Sequence, residues 1–387
     1  MYFRKYAFAT VLAISLILSA GFLSGCQSTT TPEDIENIAD NIYGKLNEGE
    51  NTASASILVV KDGKKILEKS YGHKNVETGE LATPNTSYRL GCLSKCFTSE
   101  SILMLKERGL IDLDWKVNKI LKDFPDYAED VTIADLMTNT ARLPEIYSLY
   151  PEDGTSLSDR DLYEIIKKHP RPSFPESSYA EISNDAGFVI LALIVEEVTG
   201  QNYQDFVDEN IFAPLGMDNS AALVEGYNSV GDRAYGTILK DGKFVIGDQH
   251  AYSRTLGDGG IYSNVNDMYL WDQAIDKSQL VSNKTFNEAM KLGVIVEHWQ
   301  YLNEFWCYDS TTDRPAKFSC GWYSTTNNGL DALWAEGGSI GFSNMYVKIP
   351  EEKLSVIILT NLKGNWGIIK ESNLLVQAAL KLPDKKS

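Results

Sequence analysis

Cys92 and Lys95 stand three residues apart at the start of a predicted helix, Ser94 to about Arg108, which Gly109 stops. That spacing puts a thiol and an ammonium on one helical face, where the amine can exchange the proton of a neighbouring nucleophile. A helix N-terminus favours negative charge, so a cysteine there beside a lysine is expected to have a lowered pKa and to be partly thiolate at neutral pH. Such a thiolate could form a thioester with an amide, ester or peptide carbonyl. The backbone N–H of Cys92 would be one oxyanion donor, and Lys95 the group that protonates the leaving atom. A blander reading is also open: Cys92 and Cys96, at i and i+4, are small buried residues packing an interface. A disulfide between them does not suit a regular helix.

The surrounding elements follow from pattern. Ile35, Ile38, Ile42 and Leu46 recur at helical spacing, with Thr31-Pro32-Glu33 as the start. Ser56–Val60 and Lys64–Tyr71 read as strands joined by Lys61-Asp62-Gly63, a strong hairpin signal. Residues 184–199 form an apolar helix ended by Gly200. Late in the chain, Ser343–Ile349 and Lys353–Thr360 read as strands about the turn Pro350-Glu351-Glu352, and a last helix covers about Trp366–Leu380. Strands at both ends with helices between them imply a sheet lobe built from the two termini and a helical lobe inserted in the middle.

The first residues carry a different message. Arg4 and Lys5 precede an apolar run, Tyr6 to Leu23, and then Leu23-Ser24-Gly25-Cys26. This is a secretory signal that resembles a bacterial lipobox, which implies loss of residues 1–25 and lipidation of Cys26. The expected location is the extracytoplasmic face of the cell membrane, with residues 26–33 as a tether. The net charge of −17 opposes binding to nucleic acid or to anionic lipid surfaces. Cys307 and Cys320 could pair outside the cytoplasm, and the sequence leaves that open. The four histidines (His73, His169, His250, His298) lack metal-ligand spacing, so neither a metal nor another cofactor is expected.

Five segments in order resemble the β-lactamase-related serine hydrolases, the family of β-lactamases, penicillin-binding proteins, D-alanyl-D-alanine carboxypeptidases and certain esterases. They are Tyr88-Arg89-Leu90-Gly91-Cys92-Leu93-Ser94-Lys95, Asp135–Pro144, Ser183-Asn184-Asp185-Ala186-Gly187-Phe188 with Ile211–Met217 after it, Gly257-Asp258-Gly259-Gly260-Ile261-Tyr262-Ser263, and Trp334–Phe342. The resemblance covers roughly residues 35–380. It implies an α/β plus all-α fold: an antiparallel sheet flanked by helices, with an inserted helical domain. The expected unit runs over 34–380, with a sheet lobe of about 34–91 and 290–380 and a helical lobe of about 92–289.

The resemblance breaks where the chemistry should be. Cys92 stands at the family's serine, and Ser94 is no substitute because Phe97 follows it three residues on. The family's Tyr-x-Asn is here Ile182-Ser183-Asn184, with Tyr179 three residues upstream of the lost tyrosine. The family's Lys/His-x-Gly becomes Ala335-Glu336-Gly337 ahead of Gly338, or places Glu336 at the key position if the register shifts by one; neither is a cation. Asn139 and Arg142 depart from the family's usual His and Gly. Two functions therefore compete. One is an impaired member whose cleft, lined by Ser183, Asn184, Ala335, Gly337 and Gly338, binds a cell-wall peptide or other small ligand. The other is a thiol-dependent hydrolase or acyltransferase working through Cys92 and Lys95. The aromatic cluster Trp299, Tyr301, Phe305, Trp306 and Tyr308 reads as packing or as a cleft wall, and Lys116, Lys119 and Lys122 read as a solvated face.

Overall fold

The computed structural model describes residues 30–172, 185–296, 315–327, 329–365 and 367–383. Cys26, Tyr179, Ile182, Ser183, Asn184, Cys307, His298 and the aromatic cluster of residues 299–308 lie outside them.

Helix α1, Pro32–Tyr43, starts where Thr31 accepts from the Asp34 N–H while Asp34 accepts from the Thr31 N–H. This reciprocal cap satisfies two donors that a helix start leaves orphaned. Strands β1 (Ser54–Lys61) and β2 (Lys64–Asn75) follow. Asp62 (φ 51°) and Gly63 (φ 69°) take the two left-handed positions of the turn between them, which matches the twist of a tight hairpin. A short β3, Glu80–Leu81, pairs with β2.

The rest of the sheet comes from the far end of the chain: β4 (Val294–Ile295), β5 (Lys317–Ser319), β6 (Trp322–Asn327), β7 (Leu330–Ser339), β8 (Phe342–Ile349) and β9 (Leu354–Thr360). The nine strands lie in the order β3-β2-β1-β9-β8-β7-β6-β5-β4, every pairing antiparallel. All eight residues of β1 and all seven of β9 are buried, so these central strands are covered on both faces. Among the described residues no helix is long and apolar enough to cross a membrane.

Helices α2 (Ser94–Glu107), α3 (Asp159–Lys168), α4 (Ala186–Thr199), α5 (Val265–Asp276) and α6 (Ile368–Ala379) complete the main frame. α1 and α6 pack together, and α6 lies on β8 and β9 while α5 contacts β1 and β9. Helix α4 ends at Gly200 in the left-handed conformation (φ 72°), the usual helix stop. Helix α2 reaches the sheet through aromatics: Phe97 stacks on Trp271 of α5 with centroids 4.1 Å apart, and Trp271 stacks on Trp322 of β6 at 5.9 Å. Below them Asp272 is 1% exposed and accepts from Tyr346 Oη, Lys348 Nζ at 2.8 Å and Ser355 Oγ. Asp276 also meets Lys348 Nζ, at 2.7 Å. This satisfied network pins α5, and with it α2, to the sheet.

Candidate active site

Cys92 lies in the tight helical turn Gly91–Leu93 that leads into α2. The turn runs beneath the end of β7 in near contact. A Cβ on Gly337 would stand 1.8 Å from the Leu90 carbonyl oxygen, and one on Gly91 (φ 58°) 2.5 Å from the Gly338 carbonyl oxygen. Only glycine permits that approach at either position. Asn344 Nδ2 donates to the carbonyls of Arg89 (2.8 Å), Leu90 (3.2 Å) and Gly337 (3.3 Å), tying strand and turn together. Between them lies a cavity of about 210 Å³ lined by Arg89, Gly91, Cys92, Tyr147, Asp258 and Gly338, among others.

Two further walls are fixed by close packing. Thr98 Oγ1 of α2 donates to the Gly257 carbonyl at 2.6 Å, and a Cβ on Gly257 would meet the Phe188 carbonyl oxygen at 2.2 Å. The loop of residues 257–260 is thus wedged between α2 and α4 and delivers Asp258 to the cavity. The short strand Tyr88–Arg89 pairs with Ile261–Ser263, and Ser94 Oγ accepts from the Ile261 N–H at 3.1 Å. Ser94 is therefore a fully buried structural hydroxyl.

Lys95 is 5% exposed and ion-paired to Oδ1 of Asp185. Oδ2 of the same carboxylate accepts from the Tyr147 hydroxyl at 2.7 Å. Burial disfavours the ammonium, but Asp185 foremost, then the neighbouring thiol and Asp258, hold Lys95 above its ordinary range. Burial and the charge of Asp185 likewise push the Tyr147 phenol up.

The thiol departs from the expectation of a lowered pKa. Burial pushes Cys92 up to about 12; Lys95 pulls it down, while Asp185, Asp258 and Glu336 oppose that pull. The local argument from helix terminus and adjacent lysine omits three carboxylates brought in from other elements. Burial also raises Glu336 to about 7, against the pull of Lys95. Asp258 rises to about 6 through burial and then Asp185, opposed by Thr255, Lys95 and Arg89.

Of the residues expected at the site, Cys92, Lys95, Gly337 and Gly338 come together around the cavity or its wall. Ala335 is 1% exposed and faces Tyr346 across the β7–β8 ladder; Glu336 is the residue whose charge Cys92 feels. Cys92 is part-exposed at the cleft, so the packing reading fits its neighbour Cys96, which is 2% exposed with its sulfur 3.4 Å from the Gly321 carbonyl. Cys320 is buried and has no disulfide partner among the described residues, which do not include Cys307. Among the described residues no group of His, Cys, Asp or Glu could hold a metal ion.

Three further polar side chains that the sequence does not mark stand at the site. Tyr147, Arg89 and Lys363 all line the cavity. Arg89 sits inside the Tyr88–Lys95 segment, so its type was visible; its direction was not. Nothing in the sequence near Tyr147 marks it.

The comparisons with known proteins agree with this architecture. A family model described as Beta-lactamase matches residues 39–379. Protein flp of Staphylococcus aureus (strain MW2) is 26% identical over 324 residues, covering 81% of this chain and 60% of its own length. The chain therefore spans about three fifths of that relative. The octameric penicillin-binding protein homologue from Pyrococcus abyssi superimposes with a TM-score of 0.74 at 25% identity, covering 91% of this chain and 79% of that one. The D-amino acid amidase from Ochrobactrum anthropi shares the fold, with a TM-score of 0.69 at 17% identity over 90% of this chain and 98% of its own.

Proposed function

Because the chain belongs to the β-lactamase family, we propose that it retains that family's cleft as a reversible binding site and does not acylate at residue 92. Its ligand is a cell-wall peptide or another small molecule, and the chain works from the extracytoplasmic face of a membrane, anchored through a lipid on Cys26.

One observation carries this reading: the Lys95 ammonium is bound to Asp185 inside the cleft. A lysine must shed its proton to serve as a base, and this one is held protonated. A thiol pushed up to about 12 is a neutral hydrogen-bonding group near pH 7, not a nucleophile. General acid–base help is worth roughly 10²–10⁴-fold in rate, so a cleft without an available base is poor at the family's chemistry.

The test is intact-mass spectrometry of the chain after incubation with a fluorescent penicillin and, separately, with an activated ester. The expected result is no adduct at Cys92. A covalent acyl adduct at that residue would overturn the reading.

The second reading is a thiol hydrolase or acyltransferase, and Tyr147 is what favours it. Its phenol lines the cavity with Cys92 and touches the same carboxylate as Lys95, so a proton could pass from it to a leaving group. The same adduct experiment decides between the two.

A further inference from the structure

We propose that Cys96 and Cys320 are a disulfide-forming pair, which under oxidising conditions bonds across the contact between α2 and the β5–β6 turn. The bond ties the helix that carries Lys95 to the sheet. The proposal goes beyond the cleft's role and does not depend on it.

The turn itself points to the thiol. Strands β5 and β6 are joined by Cys320 (φ 56°) and Gly321 (φ 79°), both in the left-handed region. Two other tight hairpins of the chain make the same turn with Asp-Gly: Asp62-Gly63 between β1 and β2, and Asp241-Gly242 between Thr237–Lys240 and Lys243–Ile246. Asn, Asp and Gly are the residues that take this conformation readily, and cysteine is not among them. A thiol therefore stands where the backbone favours an aspartate, and the N–H of Cys320 is held by the Met137 carbonyl at 3.0 Å.

The turn lies directly on Cys96. A Cβ on Gly321 would stand 2.7 Å from the Cys96 nitrogen, so only glycine fits there, and the Cys96 sulfur is 3.4 Å from the Gly321 carbonyl oxygen. Cys320 is one Cα step, about 3.8 Å, from Gly321 at the centre of that contact. The two thiols are 2% and 1% exposed. Burial pushes both up; beyond it Cys320 pushes up Cys96, and Glu100, one turn along α2 from Cys96, pushes up both. In the reduced state each sulfur has a weak partner, the Gly321 carbonyl for Cys96 and the Ser319 hydroxyl at 3.4 Å for Cys320. Closing the bridge gives up those two contacts.

The reaction is thiol–disulfide exchange with a small disulfide, RS–SR. One cysteine attacks as its thiolate and releases RSH; the other displaces the second RS group as RSH. Two protein S–H bonds and the RS–SR bond break, and one protein S–S bond and two RS–H bonds form. The two electrons and two protons pass to the small disulfide. A bridge between residues so distant in the chain acts mainly by restricting the unfolded state.

The experiment is refolding of the full chain from denaturant in mixed reduced and oxidised glutathione, which reaches thiols that the folded state buries. Free thiols are then blocked with N-ethylmaleimide, and disulfide-linked peptides are mapped by mass spectrometry. The principal bridge should join the Cys96 and Cys320 peptides, and the oxidised chain should melt at least ~3 °C above the same chain reduced with a phosphine. Cys320→Ala should abolish the bridge and most of that rise. Recovery of both cysteines as blocked thiols, or a bridge from Cys320 to Cys307, overturns the proposal. The mapping needs no variant, so it decides even if a substitution prevents folding. It is read at residues 96 and 320, whereas the non-acylating reading stands or falls on an adduct at Cys92, so the two failures are distinguishable.

Discussion

Lys95 and Tyr147 meet on one carboxylate: the ammonium is ion-paired to Oδ1 of Asp185 and the phenol donates to Oδ2 at 2.7 Å. In a cleft this buried, a lysine so held does not accept a proton, and its pull on the thiol three residues before it is outweighed by burial and the surrounding carboxylates. Asp185, 90 positions away in the chain from Lys95, holds that lysine protonated and adds to the burial that raises the thiol.

Removing that carboxylate should therefore awaken the thiol. Asp185→Asn leaves Lys95 facing Cys92 without a competing anion, so the thiol pKa falls. Alkylation of Cys92 at pH 8 should accelerate about tenfold for each unit of the fall. The same change leaves a buried ammonium unpaired and should lower stability by about 3–5 kcal/mol, seen as a lower Tm. An unchanged alkylation rate would show that Asp185 does not govern the thiol.

The approach of β7 to the Gly91–Leu93 turn gives a matched pair of substitutions. Gly337→Ala forces a methyl onto the Leu90 carbonyl and should destabilise by about 1–3 kcal/mol or prevent folding. Gly338→Ala meets nothing within 4 Å and should cost under about 0.5 kcal/mol, while narrowing the cavity. Denaturant titration of both variants checks the contrast; equal losses would contradict the close approach.

The fold was legible because its signals are local and ordered. The hairpin at Asp62-Gly63, the helix stop at Gly200 and the closing strands about Pro350–Glu352 were each readable from a few residues, and the structure places all three. The site was half legible. Cys92 and Lys95 were found because they sit i to i+3 at a helix start, but the sign of their electrostatics depends on Asp185, Asp258 and Glu336, which arrive from other elements. Side-chain direction hid the rest: Arg89 lay in plain view within a recognised segment, and Tyr147 lay outside every segment. Ser183 and Asn184 fall outside the described residues.

Glu100 gives a pH-dependent prediction with an unusual sign. It is buried in α2, and burial, with a smaller push from Glu107, raises its carboxyl to about 8. A folded pKa above the unfolded value of about 4.3 means the folded chain binds the extra proton between those pH values. Its contribution is present in full below pH ~4 and is lost as pH rises through about 8. Glu100→Gln should remove that dependence, so the variant gains Tm relative to the parent by at least ~2 °C between pH 5 and pH 8. A gap that stays constant with pH would contradict the burial of an unpaired carboxyl.

The network under α5 should respond to removal of one partner more than of both. Lys348→Met strands the Asp272 carboxylate and should cost about 3–5 kcal/mol, whereas Lys348→Met with Asp272→Leu should cost clearly less. Equal or greater loss in the double variant, by denaturant titration, would show that the pair is net stabilising.

The Cys92 thiol should stay protonated through neutral pH, because burial and the carboxylates of Asp185, Asp258 and Glu336 outweigh the pull of Lys95. The most direct test is the rate of iodoacetamide alkylation at Cys92, followed by peptide mass spectrometry from pH 5 to 10. The account predicts a rate still climbing about tenfold per pH unit at the top of that range. A plateau at or below pH ~8 would mean a thiolate is already formed at neutral pH and would contradict it.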